Sequence, residues 1–397
     1  MTNTLSINSL PQPLKIISKA ISSQERPSGL SHSRFAQDTM VNLVPKIIFA
    51  RSKADLAENT FLELSESFLV YYLPILLGEN LFRKLYSKNL TSPLKKQVST
   101  EASKLIRKKT PNSKALLAVK GAISISCLLI PILEYSLNYF KNLFTLKLFK
   151  QGDFENIANL KKEKDNNINK KVQKSAKKHL LYALGTFLGS LGLSFLMIKK
   201  GATSKPLQNI AKFILTPGDV IFKNNIKKAN FTNRYFGLDF ANDNGKLALS
   251  KGQLTSCVLI GGMGYMGAAK DRGKQNLLET LYRYPLVGFY VITGSELFEK
   301  GFKYLLKKSG KCSNLIGKNL EIPSFDKLPT LAQKIAKQNN TKATTEFINL
   351  AKQKALIAGI PFLFSIGFMG MFVSGISNFF TKYRYNKEKT TNPKEKL

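Results

Sequence analysis

The chain has 397 residues, with 61 Lys and Arg against 25 Asp and Glu, and a formal net charge of +36 at pH 7. Its length allows two or three domains, and a hydrophobic content of 43% excludes a chain that is disordered throughout. The three cysteines are too few and too scattered for a disulfide framework or a metal site, so we expect free thiols at Cys127, Cys257 and Cys312. His32 and His179 are too far apart to suggest a zinc site, and we expect both to be solvated. The sequence therefore predicts neither a metal nor a cofactor.

The beginning of the chain predicts a polar N-terminal tail over residues 1–50, without the continuous apolar stretch of a cleaved secretory signal. Helical patterning begins at Ser52, a predicted N-cap with Asp55 in the first helical turn. Beyond it we expect, in order, a helical membrane-associated region (51–140), a basic linker or helix (141–179), a transmembrane helix (180–198), a basic loop region (199–253), a Gly-rich helical hairpin (254–298), a basic helical and loop region (299–354), a transmembrane helix (355–380) and a charged C-terminal tail (381–397).

Two segments carry the strongest membrane signal. Residues 180–198 form 19 uncharged positions bracketed by two pairs of lysines, and residues 355–380 form 26 uncharged positions. Both have the length and flanking pattern of a transmembrane helix. Four further segments are apolar but short or interrupted by charge: 61–82, 121–140, 254–269 and 284–298. The predicted fold class is therefore mainly α, a helical integral membrane protein with three to six apolar helical segments and basic loops.

The orientation of these segments stays open, because Lys and Arg are spread evenly over the pieces between them. A polytopic protein normally enriches its cytoplasmic loops in basic residues. Either the long connections fold as small units of their own, or several segments enter the membrane from one basic side without crossing it.

A glycine motif, Gly262-Met-Gly264-Tyr-Met-Gly267, follows the apolar run 255–260. It resembles the G-x-G-x-x-G turn of dinucleotide-binding Rossmann proteins, in which glycines allow the pyrophosphate to approach a helix N-terminus. The resemblance implies strands at 255–260 and 286–293 and a ribose-binding role for Glu296.

A Gly-rich helical hairpin explains the same residues with fewer assumptions. Glu296 follows the first glycine of the motif by 34 residues, whereas the usual interval in Rossmann proteins is about 20, and no further strand–helix alternation follows. In the hairpin interpretation, Gly261, Gly264 and Gly267 recur every three residues and lie on one close-packed helix face. In the transmembrane segment 180–198, Gly185 and Gly189 have the four-residue spacing that lets two membrane helices approach closely.

The two helices of the hairpin are predicted to be joined by the charged stretch 270–283, so four charged residues gather at its tip: Asp271, Arg272, Glu279 and Arg283. Glu279 and Arg283 have the spacing to pair on one helix face, and Glu296 has Lys300 four residues on. Such pairs contribute only tenths of a kcal/mol when they are exposed, so a larger role for this cluster requires burial.

The spread of the lysines argues against a nucleic-acid-binding module, and no zinc-finger, RRM or KH signature is present. Lysines beside apolar segments are typical of contact with anionic lipid headgroups. We therefore expect the membrane, its anionic lipids, and another membrane helix or protein as partners, and no specific nucleic acid. The predicted function is that of a multi-pass structural or interaction protein of a bacterial inner membrane, without catalytic activity. The alternatives are a transporter or channel, and a membrane-bound nucleotide-binding oxidoreductase.

Overall fold

The computed structural model describes residues 5–25, 30–73, 97–108, 112–163, 165–243 and 250–391, with isolated positions at 76, 84, 85, 88, 91, 92 and 247. Throughout these residues, all regular secondary structure is helical, which confirms the predicted mainly-α class.

The first part of the chain contains α1 (Gln12–Glu25), α2 (Leu30–Ile48), α3 (Lys53–Tyr71), α4 (Ala102–Lys108), α5 (Ser113–Cys127), α6 (Leu129–Phe149), the short α7 (Phe154–Ile157) and α8 (Asn166–Lys200). The second part contains α9 (Lys205–Leu215), α10 (Pro217–Ile221), α11 (Ile226–Phe236), α12 (Lys251–Ser256), α13 (Gly262–Asp271), α14 (Lys274–Phe289), α15 (Ser295–Lys308), α16 (Leu328–Asn339), α17 (Ala343–Phe364) and α18 (Val373–Thr391). Three π-helical segments join consecutive helices at Cys257–Gly261, Tyr290–Gly294 and Ser365–Phe372.

Three helical stretches among the described residues are long and apolar enough to cross a membrane: Ser113–Phe149, Asn166–Lys200 and Ala343–Thr391. They contain the predicted segments 121–140, 180–198 and 355–380. The predicted segments 254–269 and 284–298 are helical but do not meet the same length and composition. Most of the second half of segment 61–82 lies outside the described residues.

The chain divides into two compact units, each built from two separate pieces. The smaller unit comprises Met1–Pro45 and Phe289–Val373, and the larger unit comprises Lys46–Gly288 and Ser374–Leu397. In the smaller unit, α1, α16 and α17 enclose an apolar core with Leu315, Phe325, Leu328 and Phe347 at its centre. The Lys354 ammonium group of α17 is buried there and forms an ion pair with Glu25 at the end of α1.

The larger unit is built around α5 and α6. Apolar side chains of α5, α8 and α9 form its main core, and α3 and α13 pack against α6. The most apolar 18-residue stretch of α5 and α6 is 83% buried within the protein, whereas that of α8 is 11% buried. The α5–α6 stretch and α8 therefore have different surroundings, although both are long and apolar.

Two regions are more regular than the sequence predicts. The expected polar tail 1–50 contains α1 and α2, and the expected loop region 199–253 contains α9, α10 and α11. Helix α9 shows the physical reason: it buries only Gln208, Ala211 and Leu215, one residue per turn, while its lysines occupy other positions. When only composition is considered, a helix with lysines and a narrow buried stripe resembles a basic loop.

The hairpin 254–298 differs from the prediction at its tip. The charged stretch 270–283 is not an extended connection, because only Arg272 and Gly273 separate α13 from α14. Gly273 adopts a φ of +118°, which a residue with a side chain rarely tolerates, and this conformation allows the sharp reversal. The strands that the Rossmann resemblance implies at 255–260 and 286–293 are helical, so the strand–turn–helix unit of a dinucleotide site is not formed.

The hairpin packs closely on α6 through small residues. A Cβ atom at Gly261 would lie 2.7 Å from the Glu134 carboxylate, and one at Gly264 would lie 2.6 Å from the carbonyl oxygen of Tyr135. A Cβ atom at Gly267 would overlap the Tyr139 hydroxyl group. The three glycines thus remove the side chains that would otherwise hold the two helices apart.

Gly264→Ala is expected to lower the free energy of unfolding by about 1–3 kcal/mol, because the added methyl group meets backbone atoms that cannot rotate away. The matched control is Gly185→Ala on α8, where an added Cβ has no neighbour within 4 Å. There the better helix propensity of alanine should leave stability unchanged or raise it by up to about 1 kcal/mol. Unfolding in detergent, followed by circular dichroism, measures both variants. Equal effects would contradict the packing described for the hairpin.

Candidate functional site: a buried charge network

Six charged residues of the larger unit form the principal polar cluster in its interior. We call them the charge network: Arg51, Asp55, Glu58, Lys141, Arg272 and Glu279. Arg51 lies just before α3, and Asp55 and Glu58 follow it by four and seven residues. This spacing places the three side chains on one face of the helix. The hydroxyl group of Ser52 accepts a hydrogen bond from the Asp55 backbone N–H, which confirms the predicted N-cap.

At the centre of the network, Arg272 binds Glu58 with both terminal nitrogens. Its Nη1 lies 2.6 Å from Glu58 Oε1 and its Nη2 lies 2.8 Å from Oε2. Its Nε also donates to the carbonyl oxygen of Gly152, at 3.1 Å. The Arg272 side chain has no exposed surface. The turn between α13 and α14 is therefore fixed to α3 and to the segment after α6.

Glu58 also receives two groups from α6. The Lys141 ammonium group lies 3.1 Å from Glu58 Oε1, and the Thr145 hydroxyl group donates to Oε2 at 2.9 Å. One carboxylate thus joins three separate parts of the larger unit. Without these partners, a buried carboxylate would cost several kcal/mol.

A second ion-pair cluster adjoins the first along α3. Arg51 donates to Asp55 Oδ2 through both its backbone N–H, at 2.9 Å, and its Nε, at 3.2 Å. Its Nη1 lies 2.8 Å from Glu279 Oε2, and its guanidinium group lies 5.0 Å from the centre of the Phe154 ring. Glu279 also accepts a hydrogen bond from the Thr381 hydroxyl group of α18, at 2.8 Å. This cluster fixes α14 and α18 to the start of α3.

The four charged residues predicted at the hairpin tip have different positions in the structure. Arg272 and Glu279 belong to the charge network. Arg283 lies 3.5 Å from Glu279, which confirms the predicted i,i+4 pair, although Glu279 is buried rather than exposed. Asp271 accepts a hydrogen bond from Ser175 of α8.

Burial and ion pairing act in opposite directions on the carboxylates of the network. Burial alone would raise the pKa of Glu58, but Arg272 and Lys141 outweigh it and lower the pKa to about 2. Burial likewise opposes ionisation of Glu279, and the positive charges of Arg51 and Arg283 keep its pKa below the usual value. Both carboxylates are therefore ionised at neutral pH, and each is held by cations from another part of the chain.

Another buried ion pair lies at the opposite end of the apolar segment 121–140. The Lys120 ammonium group is 2.7 Å from Asp239 Oδ1, and neither side chain is more than 1% exposed. Lys120 also donates to the carbonyl oxygen of Val98 and lies 4.2 Å from the centre of the Phe240 ring. Lys120 and Lys141 thus flank the segment, and both pair with carboxylates from elsewhere in the larger unit.

Polar side chains also follow one face of α6 between these two ends. Glu134, Asn138 and Asn142 recur every four residues, and each is at most 8% exposed. Asn142 donates to the carbonyl oxygen of Ala268 on α13, at 3.0 Å. Glu134 lies inside the helix packing, with its carboxylate against Gly261.

The structure also shows the surroundings of the histidine, cysteine and glutamate residues considered in the sequence. The Nδ1 atom of His179 lies 2.5 Å from the Tyr135 hydroxyl oxygen, and its ring stacks on Tyr139, so the expectation that it is merely solvated is wrong. The three cysteines are free, as expected, and the structure shows that all three are buried. Glu296 pairs with Lys300 at 2.6 Å, also as expected.

The remaining glycines differ in their surroundings. Gly262 lies against the ring of Tyr284, whose hydroxyl group donates to the carbonyl oxygen of Val258 at 2.9 Å. It therefore helps the two arms of the hairpin to pack. Gly185 and Gly189 meet no atom within 4 Å of an added Cβ, so their role in helix association stays a prediction about a partner outside this chain.

Sequence reasoning found Arg272 and Glu279 but missed their partners Glu58, Lys141 and Arg51. More than 120 positions of sequence separate either residue from these partners, and no local spacing indicates the contacts. The available signal was the i, i+4, i+7 repeat of Arg51, Asp55 and Glu58, which places three charges on one face of a helix.

Among the described residues, no group of three or more His, Cys, Asp or Glu side chains could hold a metal ion. No protein-family model, curated protein or solved structure matches the chain. The interpretation of the charge network therefore depends on its geometry alone.

The low pKa of Glu58 predicts an acid-sensitive fold. Because its pKa falls from 4.5 in the unfolded chain to about 2 in the folded chain, ionised Glu58 contributes up to about 3 kcal/mol above pH 4.5. This contribution is lost as the pH falls from 4.5 towards 2. Glu58→Gln should therefore lower the unfolding temperature at pH 7, and the difference from the parent protein should shrink below pH 4.5.

Thermal unfolding in detergent at a series of pH values measures this difference. Glu296→Gln is the matched control, because its ion pair with Lys300 lies at the surface and should affect stability little at any pH. A difference between Glu58→Gln and the parent protein that stays constant from pH 7 to pH 2.5 would contradict the assignment.

Proposed function

We propose that this protein is an integral membrane protein with a structural or interaction role, in which the charge network holds the helices together rather than performing chemistry. One observation carries the membrane part of the proposal. In α8, the uncharged segment 180–198 lies at the surface of the larger unit, with Leu181, Leu184, Leu188 and Phe195 each more than half exposed. Exposure of these apolar side chains to water is unfavourable, whereas in a bilayer they contact the acyl chains of lipids.

The dimensions of α8 support contact with lipid. A helix of 19 residues is about 28 Å long, close to the hydrocarbon thickness of a bilayer. Lys177 and Lys178 precede the segment, and Lys199 and Lys200 follow it. Ammonium groups at both ends are placed to reach the headgroups on either side.

The bonding within the charge network supports a structural role. Both carboxylate oxygens of Glu58, and both of Glu279, accept hydrogen bonds from protein groups. A catalytic or transport site needs groups that can change partners, whereas these groups are engaged with one another. The excess positive charge at the remaining surface is suited to the anionic lipids of a bacterial inner membrane, the location that we propose.

Two substitutions on α8 test the membrane assignment by their accessibility to water. Leu188→Cys lies at the centre of the uncharged segment, and Asn167→Cys lies near the N-terminus of the same helix; both positions are exposed in the structure. A water-soluble maleimide should modify Asn167→Cys in vesicles opened on both faces and should leave Leu188→Cys unmodified until SDS is added. The native cysteines are buried, so the parent protein measures the background.

The same preparation should stay in the membrane pellet after washing with alkaline carbonate, because the apolar segments and not charge alone hold it there. Equal labelling of the two positions, or release of the protein into the supernatant, would contradict the membrane assignment.

A further inference from the structure

A second apolar surface lies immediately after α8 in the larger unit. Large hydrophobic side chains point outward from α9, α10 and α11, although these helices are too short to cross a bilayer. The name basic aromatic face is used for the exposed large hydrophobic side chains of these three helices taken together: Phe213, Ile221, Ile226, Phe231 and Phe236, each at least 51% exposed.

The same segment is strongly basic. Between residues 199 and 238 the chain has eight Lys and Arg and a single acidic residue, Asp219. The Asp219 carboxylate accepts hydrogen bonds from Arg107 at 2.8 Å and from Ser103 at 2.7 Å, so its charge is directed towards α4. The basic aromatic face therefore combines apolar side chains with an excess of positive charge.

Helix α11 shows how the two kinds of side chain are arranged. Ala229 and Asn233 form its buried side, and Lys227, Phe231, Arg234 and Tyr235 lie on the opposite side. The rings of Phe231 and Tyr235 are 4.9 Å apart between centroids. Two cations lie near the Tyr235 ring of this pair: Lys251 Nζ lies 5.0 Å, and the Arg234 guanidinium carbon 5.8 Å, from its centre.

The inner side of these helices is closely packed, so the outward direction of the aromatic residues is fixed. A Cβ atom at Gly218 would overlap the carbonyl group of Ala229, and one at Gly252 would overlap the carbonyl group of Gly237. The Asn233 side chain also accepts a hydrogen bond from the Gly218 N–H, at 2.7 Å. Rotation that buried Phe231 would break these contacts.

We propose that the basic aromatic face docks onto the surface of an anionic bilayer, with its aromatic and aliphatic side chains at the boundary between headgroups and acyl chains. This inference rests on the proposed membrane location of α8. Lys199 and Lys200 end the uncharged segment at one bilayer surface, and α9 begins five residues later, at Lys205. The helices that follow are thus within reach of the same headgroups.

The positive charge of the basic aromatic face favours an anionic bilayer over a protein as its partner. Interfacial helices typically place Phe and Leu among acyl chains and Lys and Arg among anionic headgroups, which is the combination found on α11. Each basic residue near an anionic surface contributes about 1 kcal/mol. The cores of protein–protein interfaces are instead depleted of lysine.

The absence of tryptophan from the chain makes the proposal directly measurable. In the full-length protein, Phe231→Trp introduces a single indole group at the centre of the basic aromatic face. Asn167→Trp, on the exposed N-terminal part of α8, is the matched control. Both are reconstituted into vesicles of phosphatidylcholine with or without phosphatidylglycerol, and quenching by brominated lipids and by acrylamide is compared.

We expect the indole at position 231 to be quenched several-fold more by brominated lipid than the indole at position 167, and to be protected from acrylamide. This quenching should increase with the phosphatidylglycerol content. In a variant that also carries Lys227→Gln, Lys228→Gln and Arg234→Gln, the dependence on phosphatidylglycerol should disappear.

Other results would overturn the proposal. Equal acrylamide quenching at positions 231 and 167 would place the face in water. Protection from both quenchers would place it against protein, such as a second copy of the chain. A response to single-stranded nucleic acid without a response to vesicles would assign it to nucleic acid. If the protein still resists carbonate extraction in these cases, the docking inference fails while the proposed membrane function stands.

Discussion

The contact between Glu58 and Arg272 is the constraint on which the larger unit depends. A guanidinium group with no exposed surface must find its hydrogen-bond partners inside the protein, and those partners come from two distant parts of the chain, Glu58 on α3 and Gly152 after α6. Because α3, α6 and the turn before α14 all contribute to this cluster, none of them can move independently without leaving a charge unpaired. A buried ion pair gives little net stability over apolar packing, but breaking one costs about 3–5 kcal/mol, so the pair acts mainly by excluding other arrangements.

In the larger unit, buried charges are paired, whereas the surface keeps an excess of positive charge. Inside, Lys120 pairs with Asp239 and Lys141 pairs with Glu58, although both lysines lie beside a long apolar segment. Outside, cations exceed carboxylates, and the surface after α8 combines them with exposed aromatic side chains. Acidic residues are scarce in this chain, and several of those present are committed to the interior. The surface is left strongly positive as a consequence, which favours an anionic partner such as a lipid headgroup.

Local patterns predicted the features that depend on local physics. The N-cap at Ser52, the Glu279–Arg283 pair, the free cysteines and the long apolar helices all follow from spacing or composition. Other features depend on distant contacts. Arg272 and Glu58 are 214 residues apart, and nothing near either one indicates the other. The helices at 205–236 were predicted as loops because only a narrow stripe of each is buried, and the hairpin tip was predicted too long because a single glycine, Gly273, reverses the chain.

Glu58 and Arg272 should stabilise the fold through their contact with each other, and not independently. A double-mutant cycle with Glu58→Gln and Arg272→Met, measured by unfolding in detergent, tests it most directly. We expect a coupling energy of about 2–3 kcal/mol, because each single substitution leaves the other partner buried without its main counter-charge. The corresponding cycle at the surface pair of Glu296 and Lys300 should give less than about 1 kcal/mol. Effects at Glu58 and Arg272 that add to within about 0.5 kcal/mol would contradict the account, because independent residues behave in that way.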